Sequence, residues 1–122
     1  MTTTSPTSAW PLPANASTAF NLLEMVKHIV TFRLNGTPEE RHEACRKFAG
    51  ALLALPAQID CLMSMEVGIN ENPAEQWDLV LTATVPTMAD VAVYSAHPAH
   101  VAAASIIAPL RRERACVDYT VD

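Results

Sequence analysis

Residues 25–55 read MVKHIVTFRLNGTPEERHEACRKFAGALLAL, and the change of period inside this stretch decides the fold. Residues 26–34 are rich in β-branched side chains and stop at Asn35-Gly36, which predicts a strand. Thr37 is a good helix N-cap, Pro38 suits the first helical position, and Glu40 completes a capping box. Ala44, Phe48, Leu52 and Leu55 then recur at helical spacing and supply one apolar face. Pro56 stops the helix.

Working outward, 61–69 (CLMSMEVGI) reads as a second strand before the turn NENPAEQ, and 77–85 (WDLVLTATV) as a third. TMADVAVYSA begins with Thr87 as N-cap and reads as a helix. PAHVAAASIIAPL is a second helical piece, and 113–121 (ERACVDYTV) is the last strand. The order strand, helix, strand, strand, helix, strand is the βαββαβ pattern of a ferredoxin-like α+β fold. It implies an antiparallel four-stranded sheet with helices on one face.

Alternation along the strands assigns the faces. His28, Val30 and Phe32 form one helix-facing set. Trp77, Leu79, Leu81 and Ala83 form another, and Ala115, Val117, Tyr119 and Val121 a third. The opposite sets hold Lys27, Ile29, Thr31 and Arg33, then Asp78, Val80, Thr82 and Thr84, then Cys116 and Asp118. That second face is too apolar for water and too polar for a core. It suits a partner sheet, hence a homodimer.

Composition narrows the function. A chain of 122 residues is one domain, and with half its residues hydrophobic it builds a core without staples. A net charge of −5 argues against nucleic acid and anionic membrane, which need a basic footprint. Cys45, Cys61 and Cys116 are odd in number and widely spaced, so they read as small hydrophobes in a reducing compartment. No apolar run reaches the ~18 residues of a membrane span. The N-terminus lacks both a basic region and an apolar h-region, so a cytoplasmic protein is expected. Residues 1–24 are rich in Thr, Ser, Pro and Ala and read as an arm anchored by Trp10, Leu12 and Phe20, with a short helical turn capped by Ser17. The compact domain spans 25–122.

The polar residues of VYSAHPAHVAAA are the candidate chemistry. Pro98 cannot continue the preceding helix and restarts one at its first position, so His97 stands at the helix start and His100 one turn in. On one reading His100 is a base of near-neutral pKa and Tyr94 a phenol donor beside it. On the other, His97 caps the helix and His100 bonds a backbone carbonyl at the break. His28 joins the first reading only if it meets the same cavity, whose further lining residues would be Val30, Phe32, Phe48 and His97. His97 and His100 lack a third ligand nearby in sequence, so no metal site is expected. No P-loop, nucleophile elbow or dinucleotide fingerprint is present, and no cofactor is expected.

From Met25 to Asp122 the chain resembles the stress-responsive A/B barrel (Dabb) family. The resemblance is carried by MVKHIVTFRL, LPAQIDCLMSMEVGIN, WDLVLTATV, YSAHPAHVAAA and VDYTV at their spacings. It implies a ferredoxin-like subunit whose sheet pairs with a second copy as a dimeric α+β barrel. It also implies larger rings in some plant members. Many bacterial members have no known activity, so the first functional expectation is a homodimer of uncharacterised activity. More distantly the chain is similar to the family's olivetolic acid cyclase. That resemblance implies His100 as base, Tyr94 as hydrogen-bond donor and His28 as a pocket residue, and the second functional expectation is a small cofactor-free enzyme, a polyketide cyclase, isomerase or decarboxylase, acting on a small hydrophobic carbonyl ligand.

Overall fold

The computed structural model describes residues 24–122. The arm anchors Trp10, Leu12 and Phe20 and the turn at Ser17 lie outside the described residues. The elements are β1 (Met25–Leu34), α1 (Pro38–Leu53), a 3-10 turn (Leu55–Ala57), β2 (Ser64–Ile69), β3 (Leu79–Val85), α2 (Met88–Ala96), α3 (Pro98–Ser105) and β4 (Arg111–Val121). All pairings are antiparallel, and the strand order is β2-β3-β1-β4. This is the ferredoxin-like arrangement the pattern predicts.

The turn from β1 into α1 follows from its residues. Gly36 sits at φ 113°, where a side chain is strained. A Cβ there would stand 3.1 Å from the Glu40 carboxylate. That carboxylate accepts the Thr37 N–H, while the Thr37 hydroxyl accepts the Glu40 N–H. The capping box thus satisfies two otherwise free donors at the start of the helix. Thr87 and Asp90 form a second capping box at α2.

The core lies between the sheet and the helices. Val26, Val30, Phe32 and Leu34 of β1 meet Leu79, Leu81, Ala83 and Val85 of β3. Cys45, Phe48 and Leu52 project onto them from α1. The Phe32 and Phe48 rings meet edge to face at 5.4 Å, a favoured aromatic geometry. Among the described residues, no helix is long and apolar enough to cross a membrane.

Two face assignments are corrected. In β4 the register sets Val30 opposite Cys116 and His28 opposite Asp118, so Cys116 and Asp118 share the helix-side face with them. Ile29 opposes Val117 and Lys27 opposes Tyr119, so the apolar set of β4 lies on the open face. The physical cause is coverage. β4 is an edge strand exposed along most of its length, with only Cys116 and Val121 half-buried. Its apolar alternation therefore does not mark the helix side, and a one-residue error of phase exchanges the whole set. Trp77 is the second correction. It precedes β3 and is exposed, rather than extending the buried set of Leu79, Leu81 and Ala83.

Candidate functional site

Pro98 splits what would otherwise be one helix. His97 just before it is extended, at φ −63° and ψ 137°, as a residue preceding proline prefers. The His97 Nδ1 accepts the Ala99 N–H at 3.0 Å and caps α3. Tyr94 is thereby held in the last turn of α2, and His100 in the first turn of α3.

This break brings three aromatic rings together. Tyr94 and His100 have centroids 4.6 Å apart, and Tyr94 meets His28 edge-on at 5.6 Å. Tyr94 is fully buried, and His28 is 3 % exposed. Neither the Tyr94 hydroxyl nor the His100 Nδ1 has a hydrogen-bond partner among the described residues, although both atoms are buried. Burial without a partner is costly for such groups, so each needs a cause, of which a catalytic role is one and a bound water another. Burial also shifts both titrations. It pushes the Tyr94 phenol well above its ordinary value, with the Arg114 charge opposing. It holds the His100 imidazole below its ordinary value; the Ser95 carbonyl opposes this, and the charges of His28 and Arg114 add to it. At neutral pH the site therefore presents a neutral base beside a neutral phenol.

β4 completes the surroundings of His28. The His28 Nδ1 lies 2.5 Å from Asp118 Oδ1 and 3.4 Å from Cys116 Sγ. Sγ and Oδ1 are 3.5 Å apart. The Cys116 thiol is pushed up by burial and by the Asp118 charge, with Arg114 opposing. Sequence reading missed Asp118, Cys116 and Arg114 because it assigned β4 the wrong phase. The available signal was long-range: the pairing of β1 with β4 is what sets these side chains against His28.

Of the remaining expected lining residues, Val30, Phe32 and Phe48 pack within the hydrophobic core, and His97 serves as the α3 cap. His42 is exposed on α1, as expected. A polar cavity of about 600 Å³ lies elsewhere, among Arg33, Arg41, Asn70, Glu71, Asp78 and Arg112. Its charges are largely committed, since Arg33 pairs with Glu113 and Arg41 with Asp78. An apolar groove of about 550 Å³ runs beside Trp77, Val80 and Thr31.

A family profile described as the stress responsive A/B barrel domain matches residues 26–121. A dimeric protein of unknown function with a ferredoxin-like fold from Bacteroides fragilis is 43% identical. Its alignment covers 80% of this chain and 96% of that one, with a TM-score of 0.77. A dimeric ferredoxin-like protein of unknown function from Thermobifida fusca is 30% identical over 80% of this chain and 92% of that one, with a TM-score of 0.65. Hydroxynitrile lyase from Passiflora edulis shares the fold at 16% identity, covering 80% and 94% of the two chains with a TM-score of 0.61. No curated protein matches the chain.

Proposed function

The chain belongs to the stress responsive A/B barrel domain family, and from that membership we propose that it works as a homodimer closed through the open face of its sheet. The observation that carries this reading is the apolar row on that face. Val117 is 62 % exposed and Tyr119 42 %, and the register sets Val117 opposite Ile29. Thr31, Val80 and Thr82 extend the same surface. Two copies packed face to face form an α+β barrel and remove this surface from water, worth about 1.5–3 kcal/mol for each large side chain fully buried. The B. fragilis and T. fusca relatives are described as dimeric, which supports the same reading. Arg33 and Glu113, which pair with each other on this face, are placed for its rim. The three cysteines are free thiols, which suits a reducing, cytoplasmic setting.

Light scattering tests this reading. The full chain gives a dimer mass at micromolar concentration. Val117→Arg gives a folded monomer, because a second copy cannot close over an unpaired charge. A wild-type monomer at that concentration overturns the reading.

A second reading is favoured by the two buried, unpartnered atoms, Tyr94 Oη and His100 Nδ1. Each subunit holds a cofactor-free acid–base site for a small hydrophobic carbonyl compound. His100 takes a proton from the carbon next to the carbonyl. Tyr94 donates a hydrogen bond to the carbonyl oxygen as negative charge gathers there, and His28 orders the far side of the phenol ring. A panel of β-keto thioesters and lactones is the test. Turnover that is lost in both His100→Gln and Tyr94→Phe supports it, and turnover unchanged in either variant removes that residue from the chemistry.

A further inference from the structure

Three donors of different chemistry converge at the β1–β4 seam: His28 Nδ1, Cys116 Sγ and Asp118 Oδ1, all within 4.8 Å of one another. We propose that this seam is a binding site for a borderline divalent cation, zinc in particular, with three protein ligands and one open position. The proposal is independent of the acid–base reading of Tyr94 and His100.

One ring nitrogen is shared by a carboxylate oxygen at 2.5 Å and a thiol sulfur at 3.4 Å. Nδ1 carries at most one hydrogen, which the carboxylate takes, and the Cys116 thiol donates its own hydrogen to the same Asp118 oxygen at 3.5 Å, so two protons converge on one acceptor. A cation at the centre of the three atoms serves them all.

The separations agree with such a centre. Ligand lengths of about 2.0–2.1 Å for nitrogen, 2.0–2.2 Å for oxygen and 2.3 Å for sulfur give tetrahedral edges of about 3.5 Å from sulfur to either lighter atom. The structure has 3.4 Å from sulfur to nitrogen and 3.5 Å from sulfur to oxygen. Only the nitrogen–oxygen edge is short, at 2.5 Å against the about 3.3 Å a tetrahedron needs. Asp118 is the least buried of the three, so rotation of its side chain opens that edge without disturbing the sheet.

Charge balances as well. A neutral imidazole, a thiolate and a carboxylate sum to −2 and neutralise a divalent ion, with the thiol proton released on binding. A neutral centre is also compatible with the Arg114 guanidinium nearby. Backbone pairing fixes the ligand positions: His28 opposes Asp118, and Cys116 lies one same-face position along β4. The mixed nitrogen, sulfur and oxygen set favours zinc over magnesium, which takes oxygen ligands.

Cobalt(II) titration of the reduced, metal-free full chain tests the site. The expected result is thiolate-to-cobalt absorption and visible bands of tetrahedral cobalt, saturating at one ion per chain and bleached by zinc but not by magnesium. Cys116→Ser should abolish the thiolate band. Cys116→Ser and Asp118→Asn should each weaken zinc binding at least about tenfold, while Cys61→Ser leaves it unchanged. Circular dichroism of the metal-free variants checks folding, and Asp118→Asn, which keeps both the side-chain shape and the thiol, carries the test if Cys116→Ser misfolds. Absence of a thiolate band in the wild type, its survival in Cys116→Ser, or equal zinc affinity in wild type and Asp118→Asn overturns the proposal.

Discussion

His28 on β1 and Asp118 on β4 stand directly opposite one another in the sheet, with Nδ1 2.5 Å from Oδ1. The pair spans 90 residues of sequence and ties the edge strand to the strand beneath the helices. His28 is buried, whereas Asp118 keeps part of its side chain in water. Removing the carboxylate therefore leaves a buried ring nitrogen short of its partner. Asp118→Ala should lower stability by about 1–3 kcal/mol, the cost of orphaning a buried polar group. Asp118→Asn keeps an acceptor and should lose less. Urea denaturation of the two variants orders them, and equal midpoints for Asp118→Ala and wild type would show that the pair contributes nothing.

The fold was legible because its local signals agreed with one another. Thr37, Pro38 and Glu40 announced α1, Thr87 announced α2, and the structure contains both capping boxes. The β1 faces followed from simple alternation, since helices cover one side and bury every second residue from Val26 to Leu34. β4 did not follow, because burial on an edge strand is decided by what packs on it and not by its own pattern. From Ala115 to Val121 its alternation is regular, but the apolar phase points to the open face. Half of the candidate site was lost with that phase. Tyr94 and His100 are six residues apart around a proline and could be read together. Cys116 and Asp118 reach His28 only through strand pairing, which no local window contains.

Tyr94 offers a prediction of unusual sign. Its side chain is fully buried, and its hydroxyl has no partner among the described residues. Removing a hydroxyl usually forfeits a hydrogen bond worth about 0.5–1.5 kcal/mol. Here the desolvated oxygen has no such bond to lose. Tyr94→Phe should therefore melt at the same temperature as wild type or higher, while removing the donor that the acid–base reading requires. Calorimetry decides: a drop in melting temperature would mean that the hydroxyl is bonded in solution.

Two glycines should respond to alanine in opposite directions. Gly36 holds φ 113°, and a Cβ would press on the Glu40 carboxylate that caps α1. Gly36→Ala should cost about 1–2 kcal/mol through backbone strain. Gly50 lies within α1, with nothing within 4 Å of an added Cβ. Gly50→Ala should add about 0.5–1 kcal/mol by lowering the entropy of the unfolded chain. Denaturation curves measured side by side check the sign of each, and a stabilising Gly36→Ala would contradict the turn geometry.

His100 makes stability depend on pH, and the sign follows from its burial. Burial is the largest influence, and it holds the folded-state imidazole below its ordinary value of 6.5. Well above that value neither the folded nor the unfolded chain carries the proton, so the contribution of His100 is fully present. As the pH falls through 6.5 the unfolded chain takes up the proton first, which draws the equilibrium towards unfolding. The loss continues until the pH drops below the folded-state value, where both states are protonated and the slope from this residue vanishes. Gln has a similar size and polarity but does not titrate, so His100→Gln removes this one term. Melting temperatures measured from about pH 8 down to about pH 5 should therefore fall less steeply for His100→Gln than for wild type, with the curves separating as the pH drops below the ordinary histidine value. Parallel curves would mean that His100 is as free to take a proton in the fold as in the unfolded chain, and would remove the buried neutral base from the site.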